Sequence, residues 1–222
     1  MVFEFFKSKH ATPPQLLDKK YVTKILDDVL EKLKDSELVN IIRDYKSLIE
    51  GNTDKQMGIT LEALAKEPNN ADLLCHLATM YKMKGSAQLA TACFDQALKN
   101  NPNHSDSHYN YANLLRETGH LDTAESHYRK CIEIDWNDYN AHNNLAEVLR
   151  CMKRFDESED ELMAVIEIYP LHFKAHSNLG ILFAGRGEYG RAEECWKMAL
   201  RIKPDYEIAR NLLATLEKSK GW

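Results

Sequence analysis

Apolar residues recur along this chain at the three- and four-residue spacing of amphipathic helices, and the helices they predict come in pairs. One broad stripe runs from Gln15 to about Lys34, through Leu16, Tyr21, Ile25, Val29 and Leu33. A second begins near Leu38 and is broken by Gly51-Asn52; a third helix follows from about Thr53 to Ala65. From Ala71 the pattern becomes strictly periodic. Segments beginning at Ala71, Ser105, Tyr139 and Phe173 each start 34 residues after the last. The first supplies Ala78, Tyr81, Gly85, Ala90, Phe94, Ala97 and Pro102; the last supplies Gly180, Phe183, Gly187, Ala192, Trp196, Ala199 and Pro204 at the same offsets. A period of this length predicts an all-α solenoid in which each helix pair packs only on its neighbours.

Each recurring letter has a packing reason. Small residues sit where two helices must approach closely, and aromatics fill the volume beside them. Gly85, Gly119 and Gly187 stand where the first helix of a pair must stop and reverse. Pro102, Pro170 and Pro204 end the second helix. The pattern fails in places: Lys153 takes the glycine position, Ser158 and Val165 replace alanines, and Trp136 stands for proline. Residues 37–70 keep the register through Gly51, Ala63 and Pro68 but carry Gln56 and Thr60 at the small and aromatic positions, which makes them a degenerate first repeat. The expected organisation is an N-terminal segment and helix (1–36), that degenerate repeat (37–70), full repeats at 71–104, 105–138, 139–172 and 173–206, and a C-terminal capping helix (207–222) to cover the last apolar face.

Composition narrows the function classes. A net charge of −5 argues against a nucleic-acid footprint, which needs a clustered basic surface. The five cysteines are odd in number, lack C-x-x-C spacing and fall within helical patterns, so reduced thiols are expected. No apolar run approaches membrane-spanning length. Phe3, Phe5 and Phe6 are broken by Glu4 and followed by Lys7 and Lys9, unlike a cleavable signal, and the expected address is cytoplasmic. This aromatic lead, closed by a linker at Ala11-Thr12-Pro13-Pro14, could fold back on the first helices or fill the groove of a second copy. One such segment binds bilayers only weakly, so membrane contact is not expected.

The repeated letters of residues 71–204 resemble the tetratricopeptide repeat (TPR) family. That resemblance implies a right-handed superhelix whose first helices line a concave groove holding a peptide or a partner's segment. Further columns keep the period on the face so implicated. Asn110, Asn144 and Asn178 recur at one offset, although Asn is a mediocre residue for a helix interior. A side-chain amide can pair with both the N–H and C=O of a bound backbone, and the column resembles the asparagine ladder in the TPR arm of O-linked N-acetylglucosamine transferase. The alternative is an amide bonded to water or to the adjacent repeat. Lys82, Arg116 and Arg150 form a parallel basic column suited to an acidic ligand or simply to solvation; Tyr109, Asn113 and Asn143 complete the candidate peptide-binding set. A two-carboxylate clamp is not supported, because Cys75 and Thr79 occupy its opening positions.

His108, His142 and His176 recur likewise, with His104 and His172 four residues before two of them. That spacing suits a metal, but successive histidines stand about a helix diameter apart, so packing histidines and no metal are expected. No phosphate loop, nucleophile elbow or thiol with an adjacent base appears, so neither catalysis nor a cofactor is expected. The sequence thus predicts a non-catalytic protein–protein interaction adaptor or scaffold. Its rivals are a self-assembling structural module and a regulatory subunit of a glycosyltransferase or other enzyme.

Overall fold

The computed structural model describes residues 55–220. The expected N-terminal helix, the Phe3/Phe5/Phe6 lead and residues 37–54 of the degenerate repeat lie outside the described residues. The chain divides into two compact units between Pro102 and Asn103. The first holds α1 (Lys55–Lys66), α2 (Ala71–Met83) and α3 (Ala87–Asn100). The second holds α4 (Ser105–Glu117), α5 (Leu121–Ile134), α6 (Tyr139–Cys151), α7 (Phe155–Ile168), α8 (Phe173–Gly185), α9 (Tyr189–Ile202) and α10 (Glu207–Lys220). Among the described residues every element is a helix. Within each unit every helix packs on the next, and in the second the first helices of successive pairs also touch, α4 on α6 and α6 on α8.

One device starts the first helices. Asn70, His104, Asp138 and His172 occupy one column, and each accepts a backbone N–H of the first turn through its side chain. His104 and His172 do so through Nδ1, from Ser107 and Ala175, both at 3.2 Å. The histidines that stand four residues before another histidine are therefore caps. A second device stops those helices: the amides of Ser86, His120, Arg154 and Glu188 reach back to the carbonyls of Tyr81, Leu115, Leu149 and Phe183 at 2.8–2.9 Å. The closure needs a left-handed residue, which Gly85, Gly119 and Gly187 supply at φ 76°, 84° and 79°. Lys153 adopts φ 63° in the third repeat, so the turn geometry persists without glycine at a local backbone cost of about 1 kcal/mol.

Proline proves dispensable in the same way. α5 ends at Ile134, the offset at which α3 and α9 end, although Trp136 replaces proline. Its turn is held instead by Asn137 N–H on the Asp135 carboxylate at 2.9 Å and Asp138 N–H on the Asp135 carbonyl at 3.1 Å.

The interior follows the predicted columns. Ala90, Phe94, Ala97, Ala124, Tyr128, Val165, Ala192 and Ala199 are inaccessible to solvent. Where the core letters become polar, each polar atom finds a first-helix carbonyl: Cys131 Sγ on Ser105 at 3.6 Å, Ser158 Oγ on Ala146 at 2.7 Å, Trp196 Nε1 on Ser177 at 3.1 Å. Gly180 has a volume reason. A Cβ there would lie 2.4 Å from Trp196 Nε1, so the largest aromatic of its column requires the smallest partner.

Candidate functional site

The polar residues of α4, α6 and α8 form a connected run across the first-helix face of the second unit. Asn144 spends both amide N–H groups on α4, one on Tyr109 Oη at 3.0 Å and one on Asn113 Oδ1 at 3.1 Å. Asn113 Oδ1 also accepts from Tyr128 Oη at 2.6 Å. Asn143 donates to Asn144 Oδ1 at 3.3 Å, and Asn178 donates to Asn143 Oδ1 at 3.0 Å. Tyr109 meets Tyr128 edge to face at 6.1 Å. Burial pushes both phenols above their usual range, which keeps them neutral donors and acceptors.

Of the predicted site residues, the structure joins Tyr109, Asn113, Asn143, Asn144 and Asn178 in this run. Asn110 stands half-buried at the equivalent place on α4. Arg116, in the last turn of α4, pairs with Glu147 at 2.8 Å. Burial works against its charge, Glu147 and Tyr128 favour it, and the balance raises its pKa. Arg150, half-buried in the last turn of α6, has Cys151 Sγ at 4.0 Å. Lys82 is half-buried in the last turn of α2 and belongs to the first unit.

The histidine column holds turns together. His142 is fully buried, its Nε2 on the Trp136 carbonyl at 3.0 Å and its Nδ1 on Glu161 at 2.5 Å. His176 repeats the first contact on Pro170 at 2.9 Å, and Arg210 repeats it on Pro204 at 2.7 Å. The Nδ1 of His108 shares one proton with His127 Nδ1 at 2.8 Å, because His127 stands where Glu161 stands one repeat later. Burial, and then the charge of His108, depress the His127 pKa to about 4. Among the cysteines, Cys75, Cys93 and Cys131 are buried, Cys195 is half-buried and Cys151 is exposed. Burial raises the Cys93 thiol to about 12 and the Cys195 thiol to about 11.

Sequence columns missed the ion pairs that tie the opposite face together. Arg154 bridges Glu125 and Glu157, Arg129 joins Glu125, and Arg186 bridges Asp156 and Glu159. Arg191 reaches Glu159 and also covers the Phe183 ring at 3.7 Å. The pairs that join successive repeats span 27 to 32 residues, off the repeat period, so no column could reveal them.

Comparison with known proteins agrees with the capped, glycine-reversed helix pairs. A sequence profile described as Tetratricopeptide repeat matches residues 71–104, and a second of the same description matches 93–126 and 127–160. Residues 71–160 of this chain are tetratricopeptide repeats. The TPR fold of the chain is shared with solved structures of low identity. A crystal structure of MamA superposes with a TM-score of 0.63 at 19% identity, over 72% of this chain and 93% of that one. MamA 41-end from Desulfovibrio magneticus RS-1 gives 0.64 at 17%, over 85% and 97%. PilF of Pseudomonas aeruginosa gives 0.62 at 22%, over 68% of each chain. No curated protein sequence matches the chain significantly. The TPR fold makes this protein, in general terms, a protein–protein interaction module. Among the described residues no helix is long and apolar enough to cross a membrane.

Proposed function

We propose that this protein is a non-catalytic, cytoplasmic adaptor that holds an extended segment of a protein partner along the first helices α4, α6 and α8. The observation that carries this reading is the state of the amide run. Asn144 and Asn113 form a floor whose internal bonds hold its geometry before any ligand arrives, which lowers the ordering cost of binding. Asn178, half-buried at the end of the run, has one N–H on Asn143; among the described residues its other N–H and its carbonyl have no protein partner. One amide can therefore donate to and accept from a ligand backbone at once. The asparagine column divides its labour: Asn144 builds the surface and Asn178 meets the ligand. Arg116 and Arg150 bias that ligand toward acidic sequence.

Affinity capture with cross-linking and mass spectrometry tests the reading. Cross-links from a genuine partner are expected at Asn178, Arg150 and their neighbours, and the folded Asn178→Ala/Arg150→Gln protein is expected to lose that partner. A folded double variant that retains every partner of the wild type would refute the groove.

A further inference from the structure

Contacts between successive first helices repeat with the sequence period. Asn144 on Tyr109 and Asn178 on Asn143 are one contact advanced by one repeat, both pairs 35 residues apart. The ion pair of Arg116 with Glu147 spans 31 residues. Advanced by one repeat, its members are Arg150 and Ile181. The place that gives Arg116 a carboxylate gives Arg150 a half-buried aliphatic side chain that packs on the core. Glu147 pairs with Arg116 at 2.8 Å, and among the described residues no ion pair joins it to Arg150.

The rest of that neighbourhood is equally one-sided. The residues of α8 one repeat after Arg150 and Cys151 are Ala184 and Gly185, so α8 offers a small, apolar shelf instead of another cation. Among the described residues no carboxylate pairs with Arg150, whereas Arg116, Arg129, Arg154, Arg186 and Arg191 all have one. A half-buried guanidinium favours a charge-assisted bond to a carboxylate over partial hydration. Asn178, on the same helix as the shelf, has its open amide edge.

We propose that Arg150, Ile181 and Asn178 form a subsite for an acidic residue followed by an aliphatic one within an extended peptide. The ligand carboxylate takes the place that glutamate fills one repeat earlier, on Arg150. The aliphatic side chain covers Ile181 and Ala184, and Asn178 holds the peptide link between them. The carboxylate is that of an internal Asp or Glu side chain, because the polar run on α4 and α6 continues the surface past Arg150. This assignment rests on the groove reading above and specifies its ligand.

The test uses the full chain and fluorescein-labelled twelve-residue peptides on a Gly/Ser background, read by fluorescence anisotropy. Their central pairs are Glu-Leu, Gln-Leu, Glu-Ser and Lys-Leu, each with an amidated end, and one further Ser-Leu peptide ends in a free carboxylate. The Glu-Leu peptide is expected to bind about tenfold or more tightly than Gln-Leu or Glu-Ser, the loss of one charge-assisted bond or one buried aliphatic side chain. Ile181→Glu is expected to supply Arg150 with the pair that Arg116 already has, keep the melting temperature and abolish the preference for Glu over Gln. Equal binding of Glu-Leu and Gln-Leu with loss on Asn178→Ala would overturn the motif and leave the groove standing. Binding of only the free-carboxylate peptide would overturn it in favour of a chain end. No binding by any peptide would overturn the motif together with the groove, as would an Ile181→Glu protein that binds like wild type.

Discussion

The two faces of the second unit are joined by different chemistry. The first helices α4, α6 and α8 are linked mainly by neutral amides and phenols, whereas α5, α7 and the turns at their ends are linked by arginines and carboxylates. A neutral network can sit half-buried without the desolvation cost of a charge, and its strength does not depend on salt. An exposed ion-pair ladder is screened, contributes little per pair and keeps the outer face soluble. The difference leaves the amide face as the surface with fixed geometry, and that is the face assigned to the ligand.

Breaking the packing of α8 on α9 has the largest expected effect. Gly180→Ala places a methyl 2.4 Å from Trp196 Nε1 and should cost about 1–3 kcal/mol in urea unfolding. Adding Trp196→Tyr recreates the Ala112/Tyr128 combination and should recover more than half of that loss; no recovery would mean that Trp196 is not the obstacle.

Next comes the amide face. Asn144→Ala leaves Tyr109 Oη without its donor, takes one of two donors from Asn113 Oδ1, and should cost about 1–2 kcal/mol. The cost should be the same in low salt and in about 1 M salt, because neither partner is charged. A strongly salt-dependent loss would erase the contrast between the faces.

On the charged face, Arg186→Met removes pairs with Asp156 and Glu159 and should cost less than about 1 kcal/mol, an effect that vanishes in about 1 M salt. A loss equal to that of Asn144→Ala and indifferent to salt would place the ladder among the structural bonds.

The smallest effect is a change of slope. Folding lowers the His127 pKa to about 4 from an ordinary value near 6.5. Between those values the unfolded chain binds a proton that the folded chain refuses, so stability is complete above about pH 6.5 and is lost as pH falls toward 4. His127→Glu copies the partner that His142 has in Glu161 and should reduce the drop in melting temperature between about pH 7 and about pH 5. An unchanged drop would assign it elsewhere, and His172 is then the next group to replace, since burial and the charges of Lys174 and His176 also hold its pKa down.

Some local structure was legible because it is dictated by backbone geometry at fixed offsets. Glycine at the end of three of the four first helices announced a left-handed residue, and Asp138 suits an N-cap from its place before a helix. His104 and His172 carried two readings, a four-residue metal spacing and a packing histidine; the position of Nδ1 against a backbone amide makes them caps. The role of Asn144 was also ambiguous, since an exposed ladder and an inter-repeat bond require the same residue at the same offset. Rotamers and neighbouring hydroxyls decide between them.

Period, helix pairing and the small-against-large core were determined by the sequence alone, because each is a local rule that repeats with the chain. Which polar atoms meet across repeats was decided only by tertiary structure, because the partner of a long side chain depends on where two helices bring it. Arg116 finds Glu147, whereas for Arg150, in the same column, the offset of that glutamate holds Ile181. The column says that these arginines are equivalent; the packing of α6 against α4 and α8 makes them different.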